Sequence, residues 1–397
     1  MEIDTPAGRL RGRRTGTVRT FRGIRYAVAQ RFRAPRTAPP WSGVREALRP
    51  GPAAPQRPSR LARAVGGAVP PWSEDCLYLD VWSPDDAVAA PVLVFLHGGG
   101  FLTGSGGLPW YDGSRLTARG GIVVVTVNYR LGAFGYAALG DGPNLGLLDQ
   151  LRALDWVRDS IAAFGGDPGR VTVAGQSAGA LSVVAMLGRP VGFQQAIVQS
   201  MPGIVPQTTD RARLLAAELR GCTGADPATV PVERLLDAQQ QVQACHGDRR
   251  TMEPAFQLVA DGSLVAADPV DAASPVPMLV GTTRDETAAM FDTDIAETTR
   301  ELFERPTDRL VRRWVADRTP VQRYRFDWRP AGAPYGACHC IELPVLFGTG
   351  PAWHDAPMLA GQQPPPALVH RVQDLWSGFV RGERRPTTTP LTIRSEA

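Results

Sequence analysis

Val171-Thr172-Val173-Ala174-Gly175-Gln176-Ser177-Ala178-Gly179 is the stretch on which the reading of the fold turns. An apolar, β-branched run ends in Gly-x-Ser-x-Gly and passes at once into the small and apolar residues 178–187, so the pattern predicts strand, sharp turn, helix. Such a turn forces Ser177 into a strained conformation that lifts its hydroxyl above the sheet. Glycine is needed at 175 and 179 because a Cβ at either position would strike a neighbouring strand or helix. The helix that starts directly behind Ser177 points its free N–H groups and the positive end of its dipole at the hydroxyl, which favours an anion there. Ser177 is therefore a candidate nucleophile.

Working outward, residues 91–96 form a continuous apolar run of the kind buried on both faces of a sheet, and 122–127 form another. Directly after the first comes His97-Gly98-Gly99-Gly100-Phe101. Backbone N–H donors stabilise the negative oxygen of a tetrahedral intermediate only where the chain can approach without side chains in the way, and consecutive glycines allow that. A glycine turn followed downstream by a serine elbow is the order expected of lipases and esterases. Leu147, Leu151, Leu154, Val157 and Ile161 recur at helical spacing and give one apolar face to cover the sheet. Further strands at 171–174, 195–199, 277–281 and 321–327 complete an alternation that predicts an α/β fold with a mostly parallel, doubly wound sheet.

The flanks read differently. Residues 5–35 predict a small antiparallel N-terminal sheet, and the Pro-, Ala- and Arg-rich residues 36–71 an irregular surface loop. Residues 207–245 read as amphipathic helix, 287–320 as a helix around 295–303 plus a turn around 310–315, and 362–381 as a loop and a closing helix. With no internal repeat, residues 1–397 read as a single domain.

Composition narrows the function. The chain is 43% hydrophobic and 21% charged, with no apolar run long enough to cross a membrane and no basic-then-apolar N-terminal signal, so a cytoplasmic protein is expected. All 43 basic residues are arginine and the net charge is only +4. The arginine clusters at 9–14 and 381–385 have no aromatic platform or groove-reading helix beside them, which argues against nucleic acid as a partner. The five cysteines, at positions 76, 222, 245, 338 and 340, are an odd number without metal-site spacing and suit reduced thiols. No metal or organic cofactor is expected.

Six stretches, in order, resemble the type-B carboxylesterase family, which includes the bacterial para-nitrobenzyl esterases and the cholinesterases. They are Ser73-Glu-Asp-Cys-Leu-Tyr-Leu79, His97-Gly-Gly-Gly-Phe101, Asn128-Tyr-Arg-Leu-Gly132, Asn144-Leu-Gly-Leu-Leu-Asp-Gln150, Phe164-Gly-Gly-Asp-Pro168 and Gly175-Gln-Ser-Ala-Gly179. The resemblance implies an α/β-hydrolase fold with helices on both faces of the sheet. It makes Ser177 the nucleophile and the backbone N–H groups of Gly99, Gly100 and Ala178 the oxyanion hole. The family's acid motif falls on Gly281-Thr-Thr-Arg-Asp-Glu286 and implies Glu286, with Asp285 the local rival. Its base motif falls on Gly336-Ala-Cys-His-Cys-Ile-Glu-Leu-Pro344 and implies His339, flanked by Cys338 and Cys340. Elimination among the five histidines also leaves His339, since His97 belongs to the glycine turn and His246, His354 and His370 lie in helical, Pro-rich or terminal segments. The order Ser177, Glu286, His339 is that of α/β-hydrolases.

By the same resemblance two buried ion pairs are expected, Arg31 with Glu74 and Arg130 with Asp167. The chain departs from the family at Gln176, where glutamate is usual, and at Met201 and Thr287, where glycine is usual. His339 lies only 53 positions after Glu286, which implies a reduced lid and a wide, shallow pocket. The expected function is hydrolysis of small neutral esters through an acyl-enzyme on Ser177. Acyl transfer, a lactone-forming or lactone-opening step, and a catalytically silent binding module are the alternatives.

Overall fold

A computed structural model describes residues 1–66, 69–190, 192–248, 250–383 and 387–394. Arg384 and Arg385 of the second arginine cluster lie outside the described residues. Ten strands form the central sheet: β1 (Arg13–Thr15), β2 (Val18–Arg25), β3 (Tyr78–Pro84), β4 (Ala90–Leu96), β5 (Val123–Val127), β6 (Gly166–Gln176), β7 (Gln195–Gln199), β8 (Met278–Thr283), β9 (Val321–Phe326) and β10 (Thr387–Ile393). Their order across the sheet is β10-β9-β8-β7-β6-β4-β5-β3-β2-β1. Every neighbouring pair from β10 to β5 is parallel, while β3, β2 and β1 add an antiparallel edge.

Side-chain alternation builds a core on each face. Val92, Val94, Val123, Val125, Val171, Val173, Ala196, Val198 and Val280 enter one buried cluster. Their neighbours Leu93, Phe95, Val124, Ala174, Ile197 and Leu279 enter the other. Burial on both faces explains why these strands read as unbroken apolar runs, and each fully buried aliphatic side chain contributes about 1.5–3 kcal/mol. Helices Leu145–Ser160, Ala178–Met186, Thr209–Thr223 and Val232–His246 cover the first face, and Ser114–Gly120 and Pro366–Val380 the second.

Several expectations need correction. The strand-like runs of 17–27 are not a separate sheet; Val18–Arg25 is the antiparallel edge of the central one. Apart from it, Glu2–Thr5, Gly8–Arg11 and Val44–Glu46 make a small three-stranded sheet, and Ala27–Val28 pairs antiparallel with Arg36–Thr37. The segment 295–316 is continuous helix, with Ile295–Thr299 running through a wide turn at Arg300–Glu304 into Arg305–Ala316. Pro306 does not break it because it sits where the wide turn ends, and the Leu302 carbonyl that its missing N–H would serve accepts from Gly203 N–H at 2.7 Å instead. The closing strand β10 was not anticipated.

Of the two expected ion pairs, Arg31 meets Glu74, Nε to Oε2 at 2.7 Å, but the pair is not buried as expected, the Glu74 side chain being 35% exposed. Arg130 does not pair with Asp167. It pairs with Asp149, which accepts from Arg130 Nη2 at 2.7 Å, Nε at 2.8 Å and the backbone N–H at 3.0 Å. Asp149 projects from helix Leu145–Ser160 straight into the 128–132 loop, whereas Asp167 caps its own turn by accepting from Gly169 N–H at 2.8 Å. In the first arginine cluster, Arg9 pairs with Asp4, Arg11 with Glu2 and Glu46, and Arg14 with Asp85. These are solvated surface pairs of small energetic weight.

Candidate active site

Loops after β4, β6, β8 and β9 converge at the carboxyl edge of the parallel sheet, the edge where open α/β sheets bind ligands. After β6, Ser177 has φ 57° and ψ −120°, the strained geometry expected of the turn. Its N–H is held by the carbonyl of Gln199 at the end of β7, 2.9 Å away. A Cβ on Gly175 would lie 2.3 Å from the Gly179 carbonyl carbon, and one on Gly179 would lie 2.2 Å from the Leu96 carbonyl oxygen. Both glycines are thus required by backbone approach, the first to the helix and the second to β4.

After β4, His97 stacks on Tyr129 with ring centroids 4.4 Å apart. Tyr129 Oη donates to the His97 carbonyl at 2.6 Å, and Gly132 N–H to the Phe101 carbonyl at 2.6 Å. Burial pushes the His97 pKa down to about 4, so its ring is neutral. Among the described residues, the N–H groups of Gly99, Gly100 and Ala178 have no acceptor within the protein. All three residues line one cleft with Ser177.

After β8 and β9 the acid and imidazole meet. His339 Nδ1 and Glu286 Oε2 are 2.6 Å apart, both side chains buried. Glu286 Oε1 accepts from Thr283 N–H at 2.8 Å, and the His339 N–H donates to the Glu286 carbonyl at 3.1 Å. The carboxylate therefore fixes the ring with Nδ1 protonated and Nε2 as acceptor. In this structure Nε2 lies 3.1 Å from Gln176 Nε2, which donates to it. Asp285 points elsewhere: it pairs with Arg284 at 2.7 Å and accepts from Ala337 N–H at 2.8 Å, bracing the loop that carries His339. Those donors hold its carboxyl below the usual range despite partial burial.

Sequence reasoning missed Glu342. It is fully buried, its Oε1 accepts from Gln199 Nε2 at 3.4 Å, and Oε2 has no hydrogen-bond partner among the described residues. Burial and the nearby Glu286 charge push its pKa up to about 7. Its place three residues after His339 was visible, but nothing in the sequence marked it as buried. Cys338 and Cys340 are buried thiols whose pKa values burial raises, so neither is a reactive thiolate.

The cleft measures about 520 Å³. Its lining includes Leu108, Trp110, Leu181, Ile204, Phe291 and Trp353, with Trp110 stacked on Trp353 at 4.1 Å. Part of the wall expected between acid and base is instead supplied from the N-terminal side, by Arg60, Leu61, Arg63, Val65, Val69 and Pro70 among others. Among the described residues no group of three or more His, Cys, Asp or Glu could hold a metal ion, and no helix is long and apolar enough to cross a membrane.

The model of the carboxylesterase family matches residues 1–301. The chain belongs to the carboxylesterase family. This esterase is 34% identical to the para-nitrobenzyl esterase of Bacillus subtilis, over 96% of the chain and 89% of that protein. It is 39% identical to a Rhodococcus erythropolis protein named Probable N-octanoylanthranilate hydrolase AqdA2, over 96% and 93%. The solved structure of a thermophilic para-nitrobenzyl esterase superposes with a TM-score of 0.90 at 33% identity, covering 100% of this chain and 96% of that one. The fold is that of the α/β-hydrolases, and the enzyme is a carboxylic-ester hydrolase acting on small-molecule esters. Neither acyl transfer nor a silent binding role is favoured by these relatives.

Proposed function

We propose that Ser177, His339 and Glu286 are the catalytic triad of this ester hydrolase and that Gly99, Gly100 and Ala178 donate the oxyanion-hole hydrogen bonds. The observation that carries the reading is the buried 2.6 Å contact between His339 Nδ1 and Glu286 Oε2 in the same cleft as the strained Ser177. His339 Nε2 exchanges its hydrogen bond from Gln176 for one from Ser177 Oγ. It then takes that proton as Oγ attacks the ester carbonyl. Glu286 steadies the imidazolium without itself taking the proton. Unsatisfied N–H groups on the glycine turn and at the start of helix Ala178–Met186 receive the negative oxygen. His339 returns the proton to the leaving alkoxide, and water, activated by the same nitrogen, releases the acid.

The apolar cleft lining and the neutral Gln176 beside the nucleophile suit uncharged small esters. A named relative hydrolyses para-nitrobenzyl esters, so uncharged aryl and benzyl esters are the substrates to try first. The test is kcat/KM across an acetyl to benzoyl series of one leaving group, with Ser177→Ala as control. Turnover lost in that variant supports the reading, and turnover retained rejects it. Residues 1–397 are proposed to act as one domain built on one sheet, and the five free cysteines suit the reducing cytoplasm.

A further inference from the structure

We infer that Arg60 gives esters bearing a carboxylate away from the scissile bond a contact in the cleft that uncharged esters lack, because its guanidinium lies beside Gly100 without a carboxylate partner. The inference rests on the reading of this cleft as the ester-hydrolysing site. A Cβ placed on Gly100 would lie 2.8 Å from Arg60 Nη2, so the charged group sits directly beside the glycine turn. Its one hydrogen bond is a long one, Nη2 to the Met252 carbonyl at 3.3 Å. No Asp or Glu pairs with it among the described residues, and none is among the described residues that line the cleft.

Arg63, one turn on, shows the contrast. Its Nε donates to the Ala289 carbonyl at 2.7 Å and its Nη1 pairs with Asp292 at 3.2 Å. That guanidinium is occupied by the protein, and the guanidinium of Arg60 is left to the cleft. Arg60 stays exposed at the cleft mouth, yet enough protein surrounds its head group for desolvation to lower its pKa. A carboxylate brought into the cleft can pair with a cation so placed. The planar guanidinium fork matches a carboxylate in a bidentate geometry. Because the site is a concave apolar cleft, the same charge also draws anions toward it from solution. Uncharged esters reach Ser177 without this contact; a carboxylate-bearing ester gains it.

The carboxylate can belong to the acyl or to the alcohol half, and paired substrates separate the two. One pair is 3-(butanoyloxy)benzoate against 3-(butanoyloxy)benzamide, with the charge on the leaving group. The other is the phenyl half-ester of adipic acid against phenyl adipamate, with the charge on the acyl group. In at least one pair the wild-type enzyme should prefer the anion by about tenfold in kcat/KM, the low end for a charge-assisted hydrogen bond at an open site. Arg60→Gln should bring that ratio near one, Arg60→Lys should keep part of it, and added salt should erode it in the wild type. A ratio equal in wild type and Arg60→Gln overturns the inference. Equal loss on the neutral and anionic members does so too, since it would make Arg60 a contact to the reacting oxygen. The underlying reading fails separately, by absence of turnover on every ester together with absence of fluorophosphonate labelling.

Discussion

Replacing Asp149 by Asn tests how the fold supports the site. The Asp149 carboxylate accepts three hydrogen bonds from Arg130, and the two side chains are 0% and 5% exposed. Asparagine keeps the size, offers one acceptor oxygen, and turns an NH2 donor toward a guanidinium that only donates. The Arg130 Nη1 bond to the Arg33 carbonyl at 2.7 Å survives but carries no charge compensation. Breaking a buried pair on one side costs about 3–5 kcal/mol. At about 2.1 cal/mol/K per residue over 397 residues, the unfolding entropy is about 0.8 kcal/mol/K, so Tm should fall by about 4–6 °C. Arg130 also anchors the loop whose Tyr129 and Gly132 brace the glycine turn, so kcat/KM should drop even well below Tm. Thermal unfolding and ester turnover measure both. Asp167→Asn, on the residue the family resemblance pointed to, should shift Tm by less than about 1 °C, as expected of a surface change within about 0.5 kcal/mol. A shift below 1 °C in Asp149→Asn, or a larger one in Asp167→Asn, refutes the reasoning.

Three further outcomes are expected. Glu286→Gln should lower kcat by roughly 10³–10⁴-fold through loss of tautomer control, whereas Asp285→Asn should act mainly on stability; the reverse ranking in steady-state kinetics would reassign the acid. Gln176→Glu places a negative charge against His339 Nε2, which favours the imidazolium, so the acid limb of the pH–kcat/KM profile should move upward by about one unit; an unmoved or lowered limb contradicts it. Glu342 has a folded-state pKa of about 7 against 4.5 for the free residue. The folded state therefore holds its proton more tightly, and its stabilising contribution is complete below about pH 4.5 and lost as pH rises through 7. The loss is on the order of 3 kcal/mol. Glu342→Gln should gain stability relative to wild type between pH 5 and 8, and a Tm difference independent of pH argues against the buried proton.

The loops of the site were legible because each is written in contiguous residues: a backbone approach that only glycine permits at 175 and 179, and consecutive glycines after a buried strand. What contiguous sequence cannot carry is the partner across the fold. Asp149 and Asp167 both lie in recognisable motifs, and only the direction in which helix Leu145–Ser160 faces the 128–132 loop decides between them. Likewise Glu286 and Asp285 are adjacent, and the path of the 327–342 segment decides which one meets the imidazole. Strand β10 went unread because Thr387–Ile393 is a threonine-rich edge strand containing Pro390, a residue excluded from strand interiors but tolerated at an edge. Arg60 was hidden for a different reason: it sits in a Pro-, Ala- and Arg-rich stretch whose composition reads as surface loop, although part of it walls the cleft.

The most direct test of the central claim is intact-protein and peptide mass spectrometry after brief exposure to a fluorophosphonate. The geometry predicts one adduct per chain, on the peptide containing Ser177, forming in step with loss of esterase activity and absent in Ser177→Ala. An adduct on any other residue, or full esterase activity once Ser177 is modified, would contradict it.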